Sequence, residues 1–167
     1  DFSGSATDPA GTNDTLTYVW DFGDESPEAT GPAVSHTYAD NGTFTVRLTV
    51  SDEDGGSEST TQEVIVGNVD PTPHIDAISG KKLEGMSIDF SGSATDPAGT
   101  NDTLTYVWDF GDDSATATGP AVEHAYEDNG TFVVKLTVND EDGGSATATQ
   151  TIVVQNVDPS LTVDTSA

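Results

Sequence analysis

Cysteine is missing from this sequence, so no disulfide can staple its folds, although that lack does not assign a compartment. Basic residues are almost missing too: four lysines and arginines stand against 30 aspartates and glutamates, a formal net charge of −26. Nothing in such a chain could replace the counterions on a phosphate backbone, which argues against nucleic acid as a partner. An anionic membrane is disfavoured for the same reason. No apolar run approaches the roughly 18 residues that a membrane helix needs, so direct membrane insertion is not expected. No signal peptide is visible either, which means little because the sequence reads as an excerpt.

What the sequence does have is a duplication. Tyr18-Val19-Trp20-Asp21-Phe22-Gly23-Asp24 recurs letter for letter at 106–112, and residues 1–24 are identical to 89–112. The register then holds without insertion to Pro71 and Pro159, a period of 88 residues. Most solenoid repeats are about 20–50 residues long, whereas a unit of this size is a domain. Each unit can bury one modest core and is only marginally stable alone. The organisation expected is a first unit at 1–67 lacking its opening strand, a complete second unit at 68–155, and a linker with a further opening strand at 156–167. Leu161, Thr162 and Val163 align with Pro73, His74 and Ile75. This spare strand belongs to a following repeat in a longer array or, alternatively, complements the first unit of a neighbouring copy by strand addition.

Periodicity sets the fold class. Leu16, Tyr18, Trp20 and Phe22 alternate with Thr17, Val19 and Asp21, the period of two that puts every second side chain on one face of a sheet. In the second unit an opening strand is predicted at 72–79, followed by a turn through Lys81, Lys82 and Gly85. Met86, Ile88, Phe90, Gly92 and Ala94 should then point inward. A polar loop at 95–102 leads to the Trp108 strand, a loop at 112–120 to a short strand carrying His124 and Tyr126, and Asp128-Asn129-Gly130 reads as a hairpin turn. Phe132, Val134, Leu136 and Val138 point in, and Ile152 and Val154 close the sheet. About seven short strands with no helical period predict an all-β, two-sheet antiparallel sandwich.

The pattern YVWDFGD, then HTY or HAY, then NGTF, then V-x-L-T-V-x-D-x-D-G-G resembles the PKD (polycystic kidney disease repeat) domain of bacterial or archaeal surface proteins. The resemblance covers both units almost end to end. It implies an immunoglobulin-like sandwich and an extracellular, cell-surface location. It also implies non-catalytic work as a spacer, an adhesive module or an accessory domain of a secreted enzyme.

Acidic clustering points to a metal. In a sandwich of this topology the loop 96–102, the turn 140–144 and the linker 68–71 share one end, because successive antiparallel strands return alternate loops to it. Asp70, Asp96, Asp140 and Asp142 would then converge. Two carboxylates about 4 Å apart repel by roughly 4 kcal/mol at an effective dielectric of 20, and this chain has few bases to offset that. Calcium, which takes 6–8 oxygen ligands, would. The spacing is not that of an EF-hand. The resemblance adds that some bacterial PKD-like domains bind calcium through linker and loop oxygens, matching Asn68, Asp70, Asp96 and Asp140. The first unit offers Asp8, Asp52 and Asp54. Against this stands the simpler reading that Asp and Asn are good turn formers on a soluble surface.

Other chemistries fit less well. His36 and His124, with Asp21 and Asp24 near the first, invite an acid/base reading, but a small sandwich offers little cleft, and the groups recur in both units, as structural residues would. His74 has no counterpart at Thr162. A carbohydrate-binding module of a secreted enzyme is the alternative function, yet six Phe, four Tyr and two Trp all fall at core positions or beside the histidines. Asn13, Asn41, Asn101 and Asn129 begin N-glycosylation patterns, which arise easily in such chains. The expectation is therefore a calcium-stiffened rod or fibre segment, partnered by neighbouring repeats, by copies of itself, or by a surface or matrix polymer.

Overall fold

Strand periodicity governs the whole chain. The computed structural model describes residues 1–9 and 14–163; Asn13 and residues 164–167 of the spare strand lie outside the described residues. Two units form, Asp1–Asn68 and Val69–Ala167. Every regular element among the described residues is a β-strand.

Unit 1 contains β1 (Phe2–Ser3), β2 (Thr17–Asp21), β3 (Ala29–Thr30), β4 (Ala33–Val34), β5 (Gly42–Ser51) and β6 (Ser57–Val66). They make a β3-β2-β5-β6 sheet and a two-stranded β1-β4 sheet. Unit 2 contains β7 (Thr72–Ile75), β8 (Ser87–Thr95), β9 (Thr105–Asp109), β10 (Ala117–Thr118), β11 (Ala121–Ala125), β12 (Gly130–Asn139) and β13 (Ser145–Val154). Its sheets run β10-β9-β12-β13 and β11-β8-β7, with all strand pairs antiparallel. After β7 the chain crosses to the other sheet, where Leu83 makes a parallel bridge to Gln155.

The inward set of unit 2 is the predicted one: Ile88, Phe90, Trp108, Phe110, Val134, Leu136, Val138, Ile152 and Val154 are buried in one cluster. Polar tips within that core are tied to backbone. Trp108 Nε1 donates to Gly119 O at 2.9 Å, and Tyr126 Oη donates to Phe110 O at 3.1 Å. Gly92 is required by close approach, because a Cβ there would lie 2.9 Å from His74 O on β7 and 3.2 Å from the Trp108 ring.

Three expectations change. Met86 is 52% exposed; its amide closes a turn onto Leu83 O at 3.3 Å, so inward alternation starts only at Ile88. The opening strand ends at Ile75 rather than 79, where the chain leaves the sheet. Asp128-Asn129-Gly130 is not a hairpin. It carries the chain from β11 to β12, which lie in different sheets. The Asn129 amide donates to Glu84 and Asp128 carboxylates, both at 2.8 Å, and the Tyr126 and Phe132 rings stack 4.3 Å apart beside this corner. Local turn chemistry was legible, but the sheet each flank joins depends on which side of the core its side chains pack.

Candidate metal centre

Acidic side chains gather at one end of unit 2 because three chain segments stop or start there. β8 ends at Thr95, and Asp96 opens the following loop, its Oδ1 accepting the Ala98 amide at 2.9 Å. Asp102 closes that loop before β9. Asp140 follows β12 and organises the turn into β13: its Oδ1 accepts the amides of Asp142 at 3.0 Å and Gly144 at 2.7 Å. From the incoming linker, Asp70 Oδ1 accepts the Ser145 amide at 3.3 Å.

Carboxylate oxygens of Asp96, Asp102 and Asp140 lie within 4.8 Å of one another. Asp102 and Asp140 are buried, at 6% and 8% exposed, and Asp96 Oδ2 is a buried oxygen with no hydrogen-bond donor. An oxygen of Asp142 is also within 4.8 Å of one of Asp102. Lys135 is committed elsewhere, its Nζ 3.6 Å from Asp109 Oδ2. It sits five residues back along β12, about 16 Å at the usual rise of ~3.3 Å per residue.

This donor set fits calcium. Two oxygens on one calcium at about 2.4 Å can be at most about 4.8 Å apart, a limit that the three carboxylates meet. The donors are hard carboxylate oxygens with no thiol or imidazole among them, the chemistry of calcium or magnesium rather than zinc. Partial desolvation raises the cost of leaving three like charges together, and a cation would offset it.

Unit 1 repeats the arrangement in part. Oxygens of Asp8, Asp14 and Asp52 lie within 4.8 Å of one another, all on half-buried side chains. Asp52 Oδ1 accepts the amides of Asp54 at 3.0 Å and Gly56 at 2.7 Å, as Asp140 does in unit 2. Burial, then Asp8, Asp52 and Glu53, push the Asp14 carboxyl above its ordinary value. The structure thus brings Asp8 and Asp52 together with Asp14, and Asp96 and Asp140 together with Asp102. Asp54 and Asp142 are exposed and give their amides to the turns; Asn68 is exposed at the end of unit 1, and Asp70 is exposed while bonded to Ser145. Asp14 and Asp102 were not singled out from sequence. Their signal was present, an acid at the last position of the same polar loop in both repeats.

His36 and His124 are packed, while His74 is exposed. His124 stacks face to face on Phe110 at 4.0 Å and meets the Tyr126 edge, and its Nε2 lies 2.7 Å from Asp112 Oδ2. Asp112 Oδ1 also accepts Ser114 Oγ at 2.6 Å. His36, Asp24 and Ser26 repeat this in unit 1, with 2.7 Å and 2.6 Å separations. The serine bonds to the aspartate and not to the imidazole, so the three do not form a nucleophile–base relay.

The PKD domain family matches this sequence twice, over residues 1–66 and 68–155. The chain belongs to the PKD domain family. A microbial collagenase of Vibrio alginolyticus is 42% identical over 94 residues, 56% of this chain and 11% of the collagenase. Human polycystin-1 is 34% identical over 121 residues, 65% of this chain and 2% of polycystin-1. Among solved structures, the PKD1 domain of Vibrio anguillarum Epp is 25% identical and covers 55% of this chain and 100% of that domain, with a TM-score of 0.45. The chain spans only 2% to 11% of those two curated relatives, so each match is to a small part of a much longer protein.

Proposed function

We propose that this tandem PKD pair is a non-enzymatic structural or adhesive segment of an extracellular array, and that calcium binds its acidic ends. The observation that carries the reading is the convergence of Asp96, Asp102 and Asp140, two of them buried, within the spread that one calcium spans. Asp70 adds a link to the incoming linker, whose Pro71 restricts its backbone and is itself buried. A cation held there would tie the linker to the body of unit 2 and limit its freedom. The packed aromatic inventory supports a structural role over sugar binding, since Trp108, Phe90, Phe110 and Tyr126 are all in the core.

Extracellular calcium modules bind at about 10⁻⁴–10⁻³ M. Calcium at tenfold excess over Kd stabilises by about 1.4 kcal/mol, or roughly 5–10 °C in Tm for a unit of this size. The test is thermal unfolding and small-angle scattering of the 167-residue chain in calcium and in EDTA. The expected result is a higher Tm and narrower dimensions with calcium. Identical melting and scattering in the two buffers would refute it.

A further inference from the structure

Strand β13 is an edge of its sheet, and its main chain shows which groups are open. The Asp140 amide donates to Gly144 O at 3.1 Å, so the even-numbered residues of the strand that follows turn their main chain toward β12. The odd-numbered ones turn theirs away from it. At both ends of β13 those outward groups are used. The Ser145 amide donates to Asp70 Oδ1 at 3.3 Å, the Gln155 amide donates to Lys82 O at 2.8 Å, and Gln155 O accepts the Glu84 amide at 3.0 Å. Between these ends, the outward main-chain groups of Thr147, Thr149, Thr151 and Val153 have no partner among the described residues. Strand β7 does not cover them: a cavity of about 430 Å³, lined by Pro73, Ile75, Ala77, Ala148, Thr149 and Gln150, lies between the two strands.

An open edge usually carries charge or proline that keeps other strands off. β6, the matching strand of unit 1, has Glu58 and Glu63. β13 has Ala146 and Thr151 there, and no charged residue or proline occurs from Ser145 to Gln155. In a chain of net charge −26, this ten-residue strand is a neutral strip. Charge returns at its ends, with opposite sign. Lys81 and Lys82, two of the four bases, stand beside Gln155, whereas exposed Asp70, Glu141 and Asp142 stand beside Ser145. We propose that β13 pairs antiparallel with β13 of a second copy of this chain, about a two-fold axis at Gln150. In that register Thr147 faces Val153 of the other copy and Thr149 faces its Thr151. Each facing pair exchanges both main-chain hydrogen bonds, as in any antiparallel ladder. All four open residues are then satisfied, and the bonds to Asp70, Lys82 and Glu84 stay as they are. The lysine end of each strand meets the acidic end of the other, which selects this sense and register; a parallel pairing would set like charges together. The interface is isologous, so assembly closes at two copies.

The experiment is sedimentation of the 167-residue chain over a rising concentration series. EDTA keeps calcium out of the outcome, and roughly 0.15 M salt, with a Debye length of about 8 Å, screens the distant charges of the two copies. A monomer–dimer equilibrium that stops at two chains is expected. Thr151→Glu restores the acid that unit 1 carries and alters one exposed side chain beside the axis. It should abolish the dimer and leave the melting unchanged. Lys81→Glu, also at an exposed position, should weaken the dimer several-fold. Because the chain has no cysteine, Gln150→Cys should yield an interchain disulfide on mild oxidation, since the two copies of that residue face each other at the axis. Thr147→Cys is at a more exposed position but lies about 20 Å from its own copy in this register, so it should not. A monomer at every concentration, growth beyond two chains, a dimer that survives Thr151→Glu, or faster cross-linking at 147 than at 150 would each overturn the proposal.

Discussion

Units 1 and 2 are identical at every position from Asp1 to Asp24 and from 89 to 112, yet they are not equally finished. Trp108 and Leu136 are fully buried, whereas their counterparts Trp20 and Leu48 keep 6% and 7% exposure. The difference comes from β7 and the segment behind it, which cover one flank of unit 2. Almost the same hydrophobic set therefore makes a closed core in one unit and an open one in the other. Burial in a sandwich this small is decided by its opening strand as much as by its central tryptophan.

The same substitution made in both units gives the sharpest contrast. Trp108→Ala should cost unit 2 about 3–5 kcal/mol, since it empties the centre of a closed core and strands the Gly119 carbonyl. Trp20→Ala should cost less, because the void would merge with a cavity already there. Calorimetry should resolve two transitions, with unit 1 melting first; equal losses would mean the open flank has no energetic consequence. Next in size, Ile75→Ala removes the side chain by which β7 closes unit 2. A loss of about 2–4 kcal/mol is expected, with the transition of unit 2 moving toward that of unit 1. Smaller again is the metal. Asp102→Asn should abolish the calcium-dependent rise in Tm of unit 2, about 1.4 kcal/mol at tenfold excess over Kd, and leave that of unit 1. A calcium response unchanged in Asp102→Asn would remove the Asp96–Asp102–Asp140 cluster from consideration.

Much of this comparison was legible in the residues. Strict alternation named the inward set of β12 and β13, because a period of two leaves no choice of face once one side is buried. The acidic end was legible as a topological consequence, and Asp8, Asp52, Asp96 and Asp140 with it, but its full membership was not. Asp52 and Asp140 organise the two Asp-Glu-Asp-Gly-Gly turns, while Asp54 and Asp142 are exposed and Asp142 keeps an oxygen within 4.8 Å of one of Asp102. Asp14 and Asp102 enter through a loop whose path depends on tertiary packing. The corner at Asp128-Asn129-Gly130 was misread for a similar reason: Asn-Gly fixes a turn but not which sheets it connects.

The smallest expected effect should be shared by both units and so serves as the control for the others. Burial pushes the carboxyl of Asp112 up, but hydrogen bonds from Ser114 and His124 outweigh it and hold it below the ordinary aspartate value of 3.8. Asp24 is held low in the same way by Ser26 and His36. A depressed native value means that the unfolded chain binds the proton first as pH falls. The stabilisation is then fully present above the unfolded value and disappears as pH drops through the native one. Both transitions should weaken below about pH 4, by similar amounts, because this loop lies away from the flank that distinguishes the units. Asp112→Asn keeps an oxygen for Ser114 but cannot carry the charge, so it should flatten the acid limb of unit 2 while unit 1 retains its own. An acid limb untouched by that change would place the proton uptake elsewhere.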